Sequence, residues 1–156
     1  MNGKGSVGTL LVVGIGNPDC GDDAAGPLVI RRLVGRVPPD VALIERAGDA
    51  LALIEDWAGH DGVVLVDAAA PCTAPGSVHR IDLLRDAPPS GLSPSSTHGF
   101  GVADAVGLAR TLGLLPRRLV VYAIEGADFT PGAPVSPMVE AAVEDVAARL
   151  LADLRV

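Results

Sequence analysis

The chain has 156 residues, 49% apolar and 20% charged, with a formal net charge of −7. That is the length of one domain with room for a core, and the apolar fraction excludes a disordered chain, which cannot offset its conformational entropy by burial. The 12 basic residues form no Lys/Arg-rich stretch, their only adjacent pairs being Arg31-Arg32 and Arg117-Arg118, and the aromatics are few (Trp57, Tyr122, Phe100, Phe129). A nucleic-acid partner needs cations against phosphate and rings for stacking, so none is expected.

No apolar run approaches the ~20 residues of a membrane span. MNGKGSVG leads into the apolar stretch Leu10–Val13, too short for a signal-peptide core, and Cys20 and Cys72 are too few for a disulfide-stapled secreted domain. No membrane partner and a cytoplasmic location are expected.

Thr9–Gly14 (TLLVVG) is a near-continuous apolar run ending in glycine, as in a parallel strand buried on both faces. Asp23 to Val34 carries Leu28, Ile30 and Leu33 in helical rhythm. Val41–Glu45 is a second strand, and Asp49 can cap a short helix through Trp57. Val63–Asp67 is a third strand, while the alternation of Ser77–Leu83 marks an edge strand. Ala87–Thr97 is a Pro/Ser-rich loop, and Phe100–Leu112 a helix with Val102, Val106 and Ala109 on one face.

Leu119–Ile124 is another buried strand. Ser136 as N-cap and Pro137 at the first helical position open the last helix, whose Val139, Val143, Val146, Leu150 and Leu154 keep an i, i+3, i+4 spacing. Strands alternating with helices imply a three-layer α/β/α domain with a mainly parallel sheet. The whole of 1–156 reads as one domain, with 1–8 ahead of the first element and expected to be flexible.

Ligands of an open α/β sheet sit outside the carboxyl ends of its strands. The first strand is followed there by GIGNPDCGDD, the third ends at Asp67, the strand at 119–124 runs into Glu125, and the Pro/Ser-rich loop delivers His98 to a helix start. The glycines do not make a dinucleotide fingerprint, because Asp19 occupies the third glycine position and would repel a pyrophosphate. Asp22 or Asp23 can serve as an N-cap, and Asp67 as a strand-end turn residue. His60 and His79 read as solvated surface. At a helix N-terminus His98 is kept neutral, the form that ligates metals. Asp23, Asp67 and His98 together make a three-ligand N/O site for a divalent ion with open positions. Cys20 with His98 is an alternative nucleophile–base pair that lacks an orienting third group.

At these residues the sequence resembles the hydrogenase maturation endopeptidases, which trim the C-terminus of nickel-containing hydrogenase large subunits. LLVVGIGNPDCGDDAAGPLVIRRL is similar to that family's G-x-G-N-x(4–5)-D-[DE]-G-x-G signature, VVLVDAA to its second acidic segment and STHGFGVADAVGLARTLG to its histidine segment. VVYAIEGADFTPGAPVSPMVEAAVEDVA is similar to its closing strand, loop and helix, so the likeness runs over 9–153. Ala24 stands where the signature has glycine, and nothing transfers onto Cys20.

The resemblance implies a five-stranded sheet with one antiparallel strand. It also implies nickel contacts at Asp23, Asp67 and His98, the same three residues that serve catalysis. The nickel would be supplied by the substrate, a nickel-loaded large-subunit precursor, with only weak binding of other divalent ions. Asp22 and Glu125 are supporting or base candidates. Two other functions share parts of the pattern. A non-catalytic metal-binding chaperone could have the same fold. A peptidyl-tRNA hydrolase shares the GIGNP turn but would need a downstream His-Asn pair and a basic face, both missing here.

Overall fold

The architecture is that of a computed structural model, which describes residues 9–86 and 102–154. The elements are β1 (Leu10–Ile15), α1 (Ala25–Leu33), β2 (Val41–Arg46), α2 (Ala50–Trp57), β3 (Gly62–Ala69), β4 (Val78–Asp82), α3 (Val102–Leu112), β5 (Arg118–Glu125) and α4 (Pro137–Leu154). A 3₁₀ turn over Gly21–Ala24 leads into α1. The three apolar runs become the middle of the sheet, whose order is β2-β1-β3-β5-β4. All pairs are parallel except β4 with β5. The expected five-stranded, mostly parallel α/β/α sandwich is therefore what forms, and the segment expected at an edge is the antiparallel strand.

Each face of the sheet carries its own apolar layer. On one face Val12, Val66, Val120 and Ile124 pack against α1 and α4. On the other Val13, Leu65, Leu119 and Val121 pack against α2 and α3, with Trp57 fully enclosed. A fully buried leucine or valine contributes about 1.5–3 kcal/mol, so these layers dominate stability. The indole Nε1 of Trp57 donates to the Leu114 carbonyl at 3.2 Å, satisfying its one polar atom.

Asp49 caps α2 as expected, its Oδ1 accepting from the amides of Leu51 and Ala52 at 2.9 and 3.4 Å. Several details differ from the sequence reading, although α4 begins at Pro137 as expected. β3 runs two residues beyond Asp67, because Ala68 and Ala69 still pair with Ile124 and Glu125 of β5. The first helix starts as a 3₁₀ turn in which neither Asp22 nor Asp23 caps the chain. At α4 the Ser136 carbonyl accepts from the amides of Val139 and Glu140, while its hydroxyl is engaged by Asp22. The Ala87–Thr97 loop, Phe100 and His98 lie outside the described residues.

Candidate active site

In the order β2-β1-β3-β5-β4 the chain leaves β1 towards β2 and leaves β3 towards β4, on opposite sides of the β1–β3 boundary. The resulting crevice at their carboxyl ends is where open α/β sheets hold ligands. Ile15, the last residue of β1, is level with Asp67 of β3. Asp67 shares the face of Val63 and Leu65 by the two-residue period.

Asp23 reaches the same edge because α1 lies unusually close to the sheet. A Cβ on Gly26 would stand 2.4 Å from the Ile15 carbonyl oxygen and 2.5 Å from that of Val66. A Cβ on Gly14 would likewise meet the Gly26 carbonyl oxygen at 2.4 Å. Two glycines facing each other let helix backbone touch strand backbone, which carries the preceding turn over the end of β1. Gly16, at φ +144°, then turns the chain where a side chain would collide with the Asp23 carbonyl. The Asn17 amide donates to Asp23 Oδ2 at 2.8 Å, and Asn17 Oδ1 accepts from the Asp19 amide at 2.9 Å.

The two acids feel each other. Burial, then the negative charge of Asp23, push the Asp67 carboxyl up to about 8, against a smaller opposing pull from the Ala68 amide. A partly buried pair of oxygen donors that resist joint ionisation is what a divalent cation would relieve, so the donor set fits a hard or borderline metal. Among the described residues no three His, Cys, Asp or Glu side chains form a metal-ligating group. His98, the third residue of the sequence-derived set, lies outside them, four positions ahead of the first residue of α3.

The other two acids of this edge have a different job. Asp22 is fully buried. Its carboxylate accepts from the amides of Ala127 (2.7 Å), Asp128 (3.0 Å) and Ser136 (2.7 Å) and from the Ser136 hydroxyl (2.7 Å). Burial opposes its charge, but those bonds outweigh it and hold its carboxyl below the ordinary aspartate value. Asp22 therefore staples the 3₁₀ turn to the 126–136 segment, with every oxygen committed, and is no general base.

Glu125, also fully buried, accepts from the amides of Cys72 at 2.5 Å and Thr73 at 2.6 Å, and pairs with His79 Nε2 at 2.5 Å. Burial again opposes its charge, and the bonds from His79, Cys72 and Thr73 bring its carboxyl below the usual glutamate value. It holds the loop between β3 and β4 rather than facing the crevice. His79 is thus not solvated surface: the two-residue alternation of β4 puts it on the core side with Ile81, a signal the sequence already contained. His60 is not simply solvated either, since its Nδ1 is buried. Neither Cys20 nor Cys72 is in a disulfide.

A mostly parallel α/β sheet with a carboxylate pair at the carboxyl ends of β1 and β3 is an arrangement on which many enzymes are built. The hydrogenase maturation protease (HycI) family model matches residues 27–153, and the chain belongs to that family. Hydrogenase 2 maturation protease of Escherichia coli K12 is 29% identical over 151 residues, covering 94% of this chain and 90% of the relative. Among solved structures, the hydrogenase maturating endopeptidase HybD from E. coli superposes with a TM-score of 0.76 at 26% identity, covering 94% and 92% of the two chains. The [NiFe] hydrogenase maturation protease HycI from Thermococcus kodakarensis superposes at 0.73 with 25% identity, covering 97% and 96%. No described helix is long and apolar enough to cross a membrane.

Proposed function

We propose that this protein removes the C-terminal tail of a nickel-loaded hydrogenase large-subunit precursor and uses the substrate's own nickel to recognise it. The observation that carries the reading is the convergence of Asp23 and Asp67 at the end of β1 in a member of a maturation protease family. The two carboxylates, with His98, would engage the nickel presented by the precursor. Recognition of metal insertion is then a difference in affinity between loaded and empty substrate, since a ligand can bias only what it binds differently. The free site would hold metal ions weakly, because Asp67 would first have to lose its proton and three side chains fill only part of a coordination shell.

Tail removal is hydrolysis of one amide. Water adds to the scissile carbonyl carbon and its proton passes to a carboxylate of the pair. The leaving nitrogen then takes a proton as the bond breaks, so the products are a new carboxylate and a free amine. Engaged nickel would polarise the carbonyl or the water. A cation held between the two carboxylates would offset both the lost hydration of Asp67 and the charge of Asp23, and so favour the ionised form of Asp67.

The test is the intact mass of co-purified large-subunit precursor, loaded with nickel or metal-free, before and after this protein is added. Loss of a C-terminal peptide from the loaded form alone is expected. Stable binding without a mass change would mean a chaperone, and cleavage irrespective of nickel would remove the metal check. His98→Gln should abolish tail removal without lowering the melting temperature, and unchanged processing by that variant would strike His98 from the set.

A further inference from the structure

At the opposite, amino-terminal end of the sheet, four exposed arginines, Arg80, Arg85, Arg117 and Arg118, line one cavity of about 360 Å³ with a single carboxylate, Asp82. The chain as a whole carries −7. Elsewhere among the described residues four arginines sit in ion pairs, Arg31 with Glu45, Arg32 with Glu144, Arg46 with Asp56 and Arg149 with Asp145, while Arg36 and Arg110 stand singly rather than in a cluster. Here Arg85 approaches Asp82 only to 3.8 Å, and Arg80, Arg117 and Arg118 have no carboxylate partner among the described residues. Sequence inspection sees only the Arg117-Arg118 pair. The cluster exists because antiparallel β4 lays Asp82 level with Val120 and Arg80 with Tyr122, beside the start of β5.

A second cavity of about 300 Å³ adjoins it, sharing Arg80, Arg118 and Val120. Its floor is apolar, Val64, Val120 and Tyr122 of the sheet and Leu150 and Leu154 of α4, with Asp153 at its side. The two form one groove with an apolar floor and a rim of four arginines against two carboxylates, Asp82 and Asp153. Its backbone is fixed, as the Arg118 amide donates to the Asp61 carbonyl (3.1 Å), Leu83 to Leu119 (2.8 Å) and Asp86 to Asp82 (2.7 Å). Little ordering cost would remain for a ligand to meet.

We propose that this groove docks an acidic segment of a protein partner, one in which apolar residues are interspersed with Asp or Glu. Guanidinium groups match carboxylates bidentately, and those with no carboxylate partner among the described residues are placed to do so. A lone small anion would satisfy the rim but leave the floor unused, and a nucleic acid would find no exposed ring to stack on. An alternating segment uses both. The groove is remote from Asp67: Arg118 lies five residues before Ala123, the β5 residue level with Asp67, roughly 17 Å along the strand. It is therefore a docking surface separate from the crevice, and nothing in it depends on what the crevice does.

The test is fluorescence anisotropy of a labelled peptide of alternating Glu and Leu, titrated with the full chain at low salt. Binding is expected, weakened by added salt, and reduced on the order of tenfold or more by Arg80→Glu or Arg117→Glu, since each removes charge-assisted hydrogen bonds. Leu154→Ser should weaken it less, and a Lys/Leu peptide should not bind. Both arginines are exposed, so unchanged melting temperatures are expected to confirm intact folds. Absence of peptide binding, or equal affinity in the two arginine variants, would overturn the proposal. So would inorganic phosphate competing as well as the peptide, which would make this a small-anion site, or preference for an oligothymidylate, which would make it a nucleic-acid surface.

Discussion

Two pairs of acids sit at the carboxyl edge of this sheet and behave oppositely. Asp22 and Glu125 are fully buried, yet their carboxyls are held below their ordinary values because amides and a histidine converge on them. Asp67 has one opposing amide, that of Ala68, and its carboxyl is pushed up to about 8 by lost hydration and by Asp23. Lost hydration opposes the charge of all three, so it does not by itself separate structural from chemical acids. The supply of hydrogen-bond donors does: where donors are plentiful the charge is cheap and fixed, and where they are few the group stays responsive to a cation or a proton.

Substitutions can break that contrast. Asp67→Asn has the largest effect on activity, lowering tail removal of nickel-loaded precursor by about a hundredfold or more, the scale of a lost proton-transfer group. It should also stabilise the fold. A carboxylate raised in the folded state costs stability progressively as pH climbs from its unfolded value near 3.8 to about 8. The variant should therefore melt higher than the parent by a margin that widens over that range and then levels off. A variant that melts lower at pH 9 would mean that Asp67 is a structural acid after all.

Asp22→Ala should act in the opposite sense. Three amides and a hydroxyl lose their acceptor in a closed site, and about 3–5 kcal/mol of unfolding free energy should disappear in urea titration. The wild-type chain should also lose stability as pH falls below the ordinary values of 3.8 for Asp22 and 4.5 for Glu125, towards their lower folded values. In Asp22→Ala that acid limb should be shallower.

Gly26→Ala sharpens the comparison from the backbone side. Its Cβ has no room against Ile15 and Val66, so α1 must lift, at a cost of about 2 kcal/mol. Cleavage should fall further than that loss explains, because the turn bearing Asp23 moves with the helix. Glu125→Gln should be the mildest, about 1–2 kcal/mol by chemical denaturation, as an amide oxygen can still accept from Cys72 or Thr73 while the charge facing His79 is gone.

Most of the layer structure is legible in the sequence, because apolar runs of strand length and the Val139–Leu150 stripe report burial directly. The edge position of β4 is legible for the same reason. The roles of Asp22 and Glu125 are not, since their donors come from Ala127, Asp128 and Ser136 in one case and Cys72, Thr73 and His79 in the other, 46 to 114 positions away along the chain. Residue type announces an acid, and only tertiary structure says how many amides point at it. The Gly14–Gly26 contact is hidden in the same way, each glycine looking like an ordinary turn or helix residue until the other is placed opposite.

The register of β3 has a consequence for how this chain tolerates insertions. β3 is apolar on both faces, from Val63 and Leu65 on one to Val64 and Val66 on the other, so a slip by one position would still offer each layer aliphatic side chains. The parity of the strand, however, decides which layer receives Asp67, and one extra residue between Gly62 and Val66 would turn the carboxylate towards α1 and α4. The fold could absorb such an insertion far better than the crevice could. What fixes the count is the backbone contact of Gly26 with the Val66 carbonyl. A helix seated on one particular peptide group thereby keeps an otherwise interchangeable strand in phase.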